Sequence, residues 1–349
     1  MDKIFAWWIH LKHRLFFRLQ CWLVTRCCIR HRFGPKKIDL ASDEVVVLCL
    51  VKNGEALVKK FIDYYAHLGV RHIVLLDNSS TDRTVEIAKT FPTVTILETK
   101  LSYKKYQHAL KAYLVKKFAS QRWSLCVDID EHFDFPFSQT ITLKQFISYL
   151  NSQHYTAVVS QTLDLFADAP LDQLQRPTLP LRQAYPYYDI SAIRTAPLNP
   201  THGEISNDAI KYHRGGIHDT AFGLKSIHLT KHPLIFNDGK IIPHVRAHGV
   251  RNARIADVSC VTYHYKFTVD FCRKVAAVVA AESYWDNSSE YKQYQAALNA
   301  NPHLNLKQNS AQKLTSTDEL LQQNFIVVSP AYCAWVSRQT NHETVLTAR

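Results

Sequence analysis

The chain has 349 residues, of which 46% are hydrophobic, and a formal net charge of +12 at pH 7. This length suits one large domain or two small ones, and the apolar content is enough for a sizeable core. Neither a low-complexity stretch nor a repeat of solenoid period is present, which excludes a repeat architecture.

The first predicted unit, residues 1–37, is a basic amphipathic helix followed by a linker. It holds nine Lys and Arg and one Asp, a net charge of +8, so the rest of the chain is close to neutral. Apolar residues recur every three or four positions on one helix face, namely Ile4, Trp8, Leu11, Leu15, Leu19 and Trp22. Lys12, Arg14 and Arg18 interrupt its centre, which argues against a membrane span.

We expect residues 4–32 to lie in the plane of an anionic membrane surface, with the aromatic residues among the headgroups. The alternative is a helix that packs on the protein body. A basic segment alone supports only non-specific nucleic-acid binding, so no specific nucleic-acid partner is predicted.

The eight cysteines include no C-x-x-C pair. This argues against a zinc site or a disulfide framework and indicates a reduced compartment. The predicted location is the cytoplasm, on the inner face of the cytoplasmic membrane.

Strand and helix patterns alternate from Glu44 onward. Apolar, β-branched runs predict strands at Val45–Val51, His72–Asp77, 93–99 and 123–130. Helical spacing fills the intervals, at 53–69, 82–91 and 104–119. Alternation with short links predicts an α/β fold with a mainly parallel, Rossmann-like sheet flanked by helices.

Three polar clusters follow the first, second and fourth of these strands, at 52–55, 77–82 and 128–131. Ligands of parallel sheets bind outside the carboxyl ends of the strands, so we expect the clusters to converge. Asp128 and Asp130, one residue apart, suit Mg²⁺ or Mn²⁺, which would bridge to a diphosphate and stabilise its charge. The cluster at 77–82 offers carboxylate, amide and hydroxyl groups for a nucleoside, from Asp77, Asn78, Ser80 and Asp82.

Two stretches resemble nucleotide-sugar glycosyltransferases of the GT-A fold, family-2-like. They are VKNGEALVKKFIDYYAHLGVRHIVLLDNSSTDRT at 51–84 and WSLCVDIDEHF at 123–133. Weaker matches resemble an uncharacterised bacterial branch, LDLFADAPL, YPYYD, RGGIHDTAFG, LTKHPLI and VTYHYKF. The resemblance covers about 45–294. Gly54, inserted before Glu55, departs from the family pattern.

The resemblance implies a GT-A domain at 44–300, with a nucleotide-sugar-binding half at 44–135 and an acceptor-side half at 136–300. Residues 301–349 are then a C-terminal tail. By the same analogy, Asn53 and Glu55 would contact the nucleoside side and Asp77 the base. Asp128 and Asp130 would bind the metal and the diphosphate.

The catalytic base is sought among carboxylates near the acceptor, because an inverting transfer must deprotonate a hydroxyl group. Asp164 and Asp189 lie in matching blocks, Asp219 is a third candidate, and Glu131 is the last carboxylate of the motif. Each is also explained as a structural, hydrogen-bonding side chain. The resemblance allows His264 to contact the metal or a phosphate, although a histidine on an apolar strand is more often part of the core.

Together these features predict a divalent-metal-dependent glycosyltransferase. It would move sugar from a nucleotide-diphosphate sugar to a cell-envelope polysaccharide or lipid-linked acceptor. A non-catalytic, membrane-associated scaffold on a degenerate transferase fold is the alternative. Phosphatases of the haloacid-dehalogenase type also place D-x-D after a strand. They require Thr or Val where this chain has His132, and usually use the first strand.

Overall fold

The computed structural model describes residues 19, 20, 22, 24, 28–198, 203–240, 249–282 and 288–347, with side chains up to residue 340. Most of the predicted N-terminal helix lies outside these residues, so its membrane contact stays a prediction. Where the segment is described, Gln20 Nε2 donates to the carbonyl of Lys105 at 3.1 Å and Val24 is buried. This end therefore packs on the body.

The described chain contains both strands and helices. The strands are β1 Ile29–Phe33, β2 Val45–Val51, β3 His72–Asp77, β4 Val94–Thr99, β5 Trp123–Cys126, β6 Glu131–Asp134, β7 Ala157–Asp164, β8 Tyr187–Tyr188, β9 Ile193–Pro197, β10 Glu204–Ile205, β11 Lys211–Gly215, β12 Thr230–Phe236, β13 Arg254–His264 and β14 Gln312–Lys313. The helices are α1 Val58–Leu68, α2 Thr84–Ala88, α3 Tyr103–Phe118, α4 Leu143–Ser152, α5 Leu181–Ala184, α6 Ile217–Phe222, α7 Phe271–Ala281, α8 Ser289–Ala300, α9 Glu319–Gln322 and α10 Pro330–Thr347.

The main sheet has the strand order β1-β4-β3-β2-β5-β12-β7-β13-β10, and β6 pairs with β13. Strands β2, β3, β4 and β5 are parallel, as the sequence pattern predicts. Every residue of β2 is buried, because a central parallel strand has layers on both faces. Strand β12 enters antiparallel between β5 and β7. The fold is thus mixed α/β with a largely parallel central sheet.

Two boundaries differ from the sequence prediction. Residues of the predicted helix and linker form β1, which pairs antiparallel with β4. The alternation of partly buried and exposed residues in IRHRF has the period of a strand, and Arg32 forms an ion pair with Glu98. The predicted strand at 123–130 ends at Cys126, and the chain turns so that β6 runs antiparallel to β13.

The predicted tail packs into the main core. Tyr332 of α10 is fully buried against the rings of Phe146 and Tyr149, and its hydroxyl donates to the carbonyl of Pro136 at 2.9 Å. Asp318 Oδ1 also accepts the backbone N–H of Phe137 at 3.0 Å. Within the described residues, no helix is long and apolar enough to cross a membrane.

His132 of β6 lies inside an aromatic cluster between α1 and β13. Its ring stacks on Tyr64 with 4.0 Å between centroids and contacts Phe61, Tyr65 and Tyr265 edge-on or tilted. Among the described residues, its Nε2 atom has no hydrogen-bond partner. Burial lowers the pKa of His132 to about 3, so the ring is neutral at physiological pH.

This burial predicts an acid-sensitive contribution to stability. In the unfolded chain the pKa of a histidine is about 6.5, so the unfolded state binds the proton first as the pH falls. Stability is complete above that value and is lost as the pH falls towards the folded pKa. Between pH 7 and pH 5 the loss from His132 alone is about 2 kcal/mol.

His132→Phe should remove this component, because phenylalanine fills the same site without an ionisable group. The free energy of unfolding should be measured with urea at pH 7 and pH 5. Its decrease between the two pH values should be smaller in the variant than in the parent by about 2 kcal/mol. Equal losses in variant and parent would contradict the buried, neutral ring.

Candidate active site

The loops after β2 and β3 are joined by reciprocal hydrogen bonds. The backbone N–H of Asn53 donates to Ser80 Oγ at 2.8 Å, and Asn53 Oδ1 accepts the N–H of Thr81 at 2.8 Å. The N–H of Glu55 donates to Asp82 Oδ2 at 3.0 Å. The structure thus brings together two of the polar clusters, as expected at the carboxyl ends of neighbouring parallel strands.

Gly54 links these loops to the aspartate motif. Its N–H donates to Thr84 Oγ1 at 2.7 Å. A Cβ atom at this position would lie 2.8 Å from Val51 Cγ2 and 3.2 Å from Ile129 Cγ1. The absence of a side chain at Gly54 therefore permits a close approach between the first loop and the middle residue of D-x-D.

Asp77 and Asn78 are buried and bind backbone groups. The Asp77 carboxylate accepts the N–H of Ser80 at 3.1 Å. Asn78 Nδ2 donates to the carbonyls of Thr99 at 3.1 Å and Leu101 at 2.8 Å, which ties the end of β3 to the end of β4. Both side chains hold the loops in place, whereas Asn53 is exposed and Glu55, Ser80 and Asp82 are half-buried.

Asp128 and Asp130 lie in the turn between β5 and β6. Glu131 Oε2 accepts the N–H of Asp128 at 3.0 Å, and the carbonyl of Asp130 accepts the N–H of Tyr265 at 2.8 Å. Exposure divides the three carboxylates: the side chain of Asp128 is 41% exposed, that of Asp130 14% and that of Glu131 3%. A ligand therefore meets Asp128 first.

Each carboxylate of the motif faces a lysine from a different element. Lys111 of α3 lies 3.6 Å from Asp128 Oδ1, and Lys274 of α7 lies 3.9 Å from Asp130 Oδ2. Lys231 of β12 donates to Glu131 Oε1.

These lysines tune the ionisation of the motif. Desolvation opposes the charge on Asp128, but Lys111 and Lys231, with His264 and Lys274, hold its pKa at about 2. Burial alone would lower the pKa of Lys231, yet Glu131 and Asp128 raise it above its usual range. Asp128 is therefore ionised throughout the physiological range.

Sequence reasoning missed the three lysines. On α3, Lys111 is one of five lysines in a single helix, and nothing in their spacing separates it from the solvated ones. Lys231 lies in the matched block LTKHPLI, which was the one available signal.

The ends of β7 and β13 bring Asp164 beside His264. The two residues are paired in the parallel register, and His264 is also paired with Glu131 across β6. His264 Nδ1 lies 2.7 Å from Asp164 Oδ1, and its Nε2 lies 3.8 Å from Asp130 Oδ2. Burial alone would lower the pKa of His264, but Asp164, Asp130 and Glu131 raise it.

Asp189 and Asp219 have other partners. Asp189 accepts Ser191 Oγ and Ser310 Oγ, each at 2.6 Å. Asp219 Oδ2 lies 2.5 Å from Arg194 Nη1. Their described contacts do not include the aspartate motif, whereas those of Asp164 reach it through His264.

The donor types at the motif fit a divalent cation that is also bound by substrate oxygens. Among the described residues, no three His, Cys, Asp or Glu side chains stand together as a complete metal site. Asp130 and His264 present an oxygen and a nitrogen towards one another, and Asp128 is open to solvent. Mn²⁺ accepts such ligands, and Mg²⁺ often takes one or two carboxylates with substrate phosphates.

A cavity of about 30 Å³ lies behind the turn, lined by Lys111, Cys126, Asp128, Glu131, Lys231, His232 and Pro233. It has room for one or two water molecules.

Neither a protein-family model nor a curated protein matches this chain. The solved structures that align with it include the following three. TarS 1-349 of S. aureus is 12% identical over 74% of this chain and 72% of its own, with a TM-score of 0.32. Mannosyltransferase PcManGT from Pyrobaculum calidifontis, in complex with GDP-Man and Mn²⁺, is 20% identical over 42% of each chain, with a TM-score of 0.27. For 4-diphosphocytidyl-2C-methyl-D-erythritol synthase the identity is 13% over 40% of this chain and 70% of that one, with a TM-score of 0.26.

The Lys231–Glu131 pair should be essential to stability. Lys231→Met leaves the Glu131 charge buried without its ammonium partner, which should lower the free energy of unfolding by about 3 kcal/mol. The double variant with Glu131→Gln removes both charges and should recover most of that loss.

Urea unfolding of the two single variants and the double variant completes a thermodynamic cycle. Additive effects would show that the pair is not coupled. The exposed pair Lys59–Asp63 on α1 is the control, and Lys59→Met should change stability by less than about 1 kcal/mol.

Proposed function

We propose that this chain is a GT-A glycosyltransferase of the family-2 type. It would transfer sugar from a nucleoside-diphosphate sugar to a saccharide or lipid-linked acceptor of the cell envelope, with Mn²⁺ or Mg²⁺. One observation carries the proposal. The turn with Asp128 and Asp130, followed by Glu131 of β6, lies at the carboxyl end of the parallel strand β5, and its Ile129 lies close to Gly54 in the loop after β2.

Asp128, Asp130 and His264 would hold the cation. When bound, the cation would neutralise the diphosphate as it leaves. Asp128 suits this role because it is both exposed and ionised.

The three lysines balance the three carboxylates of the motif, so its own charge is close to neutral. A divalent cation and a diphosphate with two negative charges can then enter as a balanced pair. Either one alone would leave an uncompensated charge near a partly buried site.

The nucleoside would contact the solvent-facing side of the loops after β2 and β3. Asn53, Glu55, Ser80 and Asp82 retain surface there, while buried Asp77 and Asn78 would support the loop backbone.

None of the predicted bases presents an unengaged carboxylate. Asp164 binds two histidines, Glu131 binds Lys231 and the N–H of Asp128, and Asp189 binds two serines. A general base must reach the proton of the acceptor. These three carboxylates are therefore better suited to structural hydrogen bonds than to deprotonating an acceptor.

The scaffold alternative is favoured by one observation, the lysine facing each carboxylate of the motif. If those ion pairs never open, the turn is a structural element and neither nucleotide nor metal binds. Nucleotide binding therefore separates the two functions.

Thermal unfolding with UDP, GDP, CDP or dTDP, with and without Mn²⁺, tests the proposal. A nucleotide at 100 times its Kd should stabilise the folded chain by about 2.7 kcal/mol, and only with Mn²⁺. Asp128→Asn should abolish the shift.

Asp63→Asn is the matched control, because Asp63 is also an exposed aspartate beside a lysine, and it should keep the shift. A well-folded protein that no nucleotide stabilises would support the scaffold.

Access to a lipid-linked acceptor would come through the basic residues of the segment 4–32 that precede β1, because residues 29–32 belong to that strand. The full chain should sediment with phosphatidylserine vesicles and remain in solution with phosphatidylcholine vesicles, because anionic lipid attracts the basic face. Equal recovery with both would exclude electrostatic membrane binding.

A further inference from the structure

A continuous series of polar side chains leads away from the aspartate motif. The proposed transfer does not use most of it. In order of contact the series is Asp130, His264, Asp164, His218, Tyr294, Glu290 and Lys266.

Asp164 is the centre of the series. Its Oδ1 lies 2.7 Å from His264 Nδ1, and its Oδ2 lies 3.0 Å from His218 Nε2. Each oxygen of the Asp164 carboxylate thus faces one ring nitrogen at hydrogen-bond distance. An ionised carboxylate only accepts hydrogen bonds, so each facing nitrogen must carry a hydrogen.

This requirement sets the tautomer of His264. With its hydrogen on Nδ1, the neutral ring has its lone pair on Nε2, the atom that faces Asp130. A carboxylate behind a metal-binding histidine has this effect in proteins generally, because it fixes both the ring orientation and the tautomer.

His218 holds Asp164 from the other side. It is 2% exposed, so it does not contact a substrate. The hydroxyl of fully buried Tyr294 lies 2.9 Å from His218 Nδ1 and 2.7 Å from Glu290 Oε1, and Lys266 lies 2.6 Å from the same Glu290 oxygen. The series thus ends on an ion pair between α8 and the segment after β13.

Packing in the hydrophobic core does not by itself explain why these polar side chains are buried together. Burying a carboxylate and two imidazoles costs free energy unless the hydrogen bonds are complete. Here both oxygens of the Asp164 carboxylate have a partner, and the hydrogen bonds run to the His264 ring at the edge of the motif.

We propose that Asp164, His218 and Tyr294 are positioning residues that hold His264 with its hydrogen on Nδ1 and Nε2 turned towards Asp130. His264 Nε2 is then preset as a ligand for the divalent cation. The positioning follows from the geometry alone, whereas the role of the ligand rests on the proposed function.

Nitrogen-15 NMR of the histidine side chains tests the positioning without metal or nucleotide. At pH 9, His264, assigned by the signal missing in His264→Gln, should carry its hydrogen on Nδ1 alone. In Asp164→Leu the carboxylate of Asp130 is the remaining acceptor for the ring, so the hydrogen should move to Nε2. A hydrogen on Nε2 in the parent, or no change in the variant, would overturn the proposal.

If Asp164→Leu does not fold, Asp164→Asn is the variant with which the tautomer of His264 is tested. An amide offers one acceptor and one donor group, so His264 or His218 must reverse its tautomer. Both rings unchanged would overturn the proposal. Asp189→Leu is the matched control, because Asp189 and Asp164 are both 6% exposed and Asp189 binds serines instead. It should leave His264 unchanged.

Mn²⁺ titration in the presence of the stabilising nucleotide tests the ligand role. Asp164→Leu should weaken Mn²⁺ binding by about 10- to 100-fold, and His218→Phe or Tyr294→Phe by less. Unchanged affinity in all three variants would overturn the ligand role. If the parent does not bind Mn²⁺ while His264 has the expected tautomer, the metal in the proposed function fails and the positioning stands.

Discussion

The buried ion pair between Lys231 and Glu131 is the interaction on which the candidate site depends. Glu131 is 3% exposed, and its two oxygens bind Lys231 and the N–H of Asp128. An unpaired carboxylate there would cost several kcal/mol, so the pair also fixes the turn that presents Asp128 to solvent. The site therefore depends on β12, a strand that lies a hundred residues further along the chain.

The register of the strands determines which other side chains lie next to the aspartate motif. Pairing of β13 with β7 and β6 places His264 between Asp164 and Glu131, so three residues distant in sequence lie at one edge of the sheet. Side-chain hydrogen bonds then extend this row to His218 and Tyr294. Because the row begins at rigid strand ends, the side chains that face Asp130 need little further ordering.

Local pattern was sufficient for the first half of the fold. Strands β2 and β3 and helices α1 and α3 lie within a few residues of their predicted bounds, because continuous apolar runs and helical spacing are local signals. Strand β1 was missed, since its five residues hold two arginines and a histidine and follow the pattern of a basic helix. The insertion of β12 between β5 and β7 was also missed, because its pairing partners are distant in sequence.

The order of residues alone was enough to predict an alternating α/β chain with polar clusters at its strand ends and an aspartate pair suited to a cation. It predicted that Asn53, Ser80, Asp128 and Asp130 belong to the candidate site, because residue type and position at a strand end are local signals. The lysines that neutralise the motif, and the two histidines that contact Asp164, became evident from the folded structure. Those relations depend on distances between segments far apart in sequence, and a buried lysine or aspartate has the same local pattern as a solvated one.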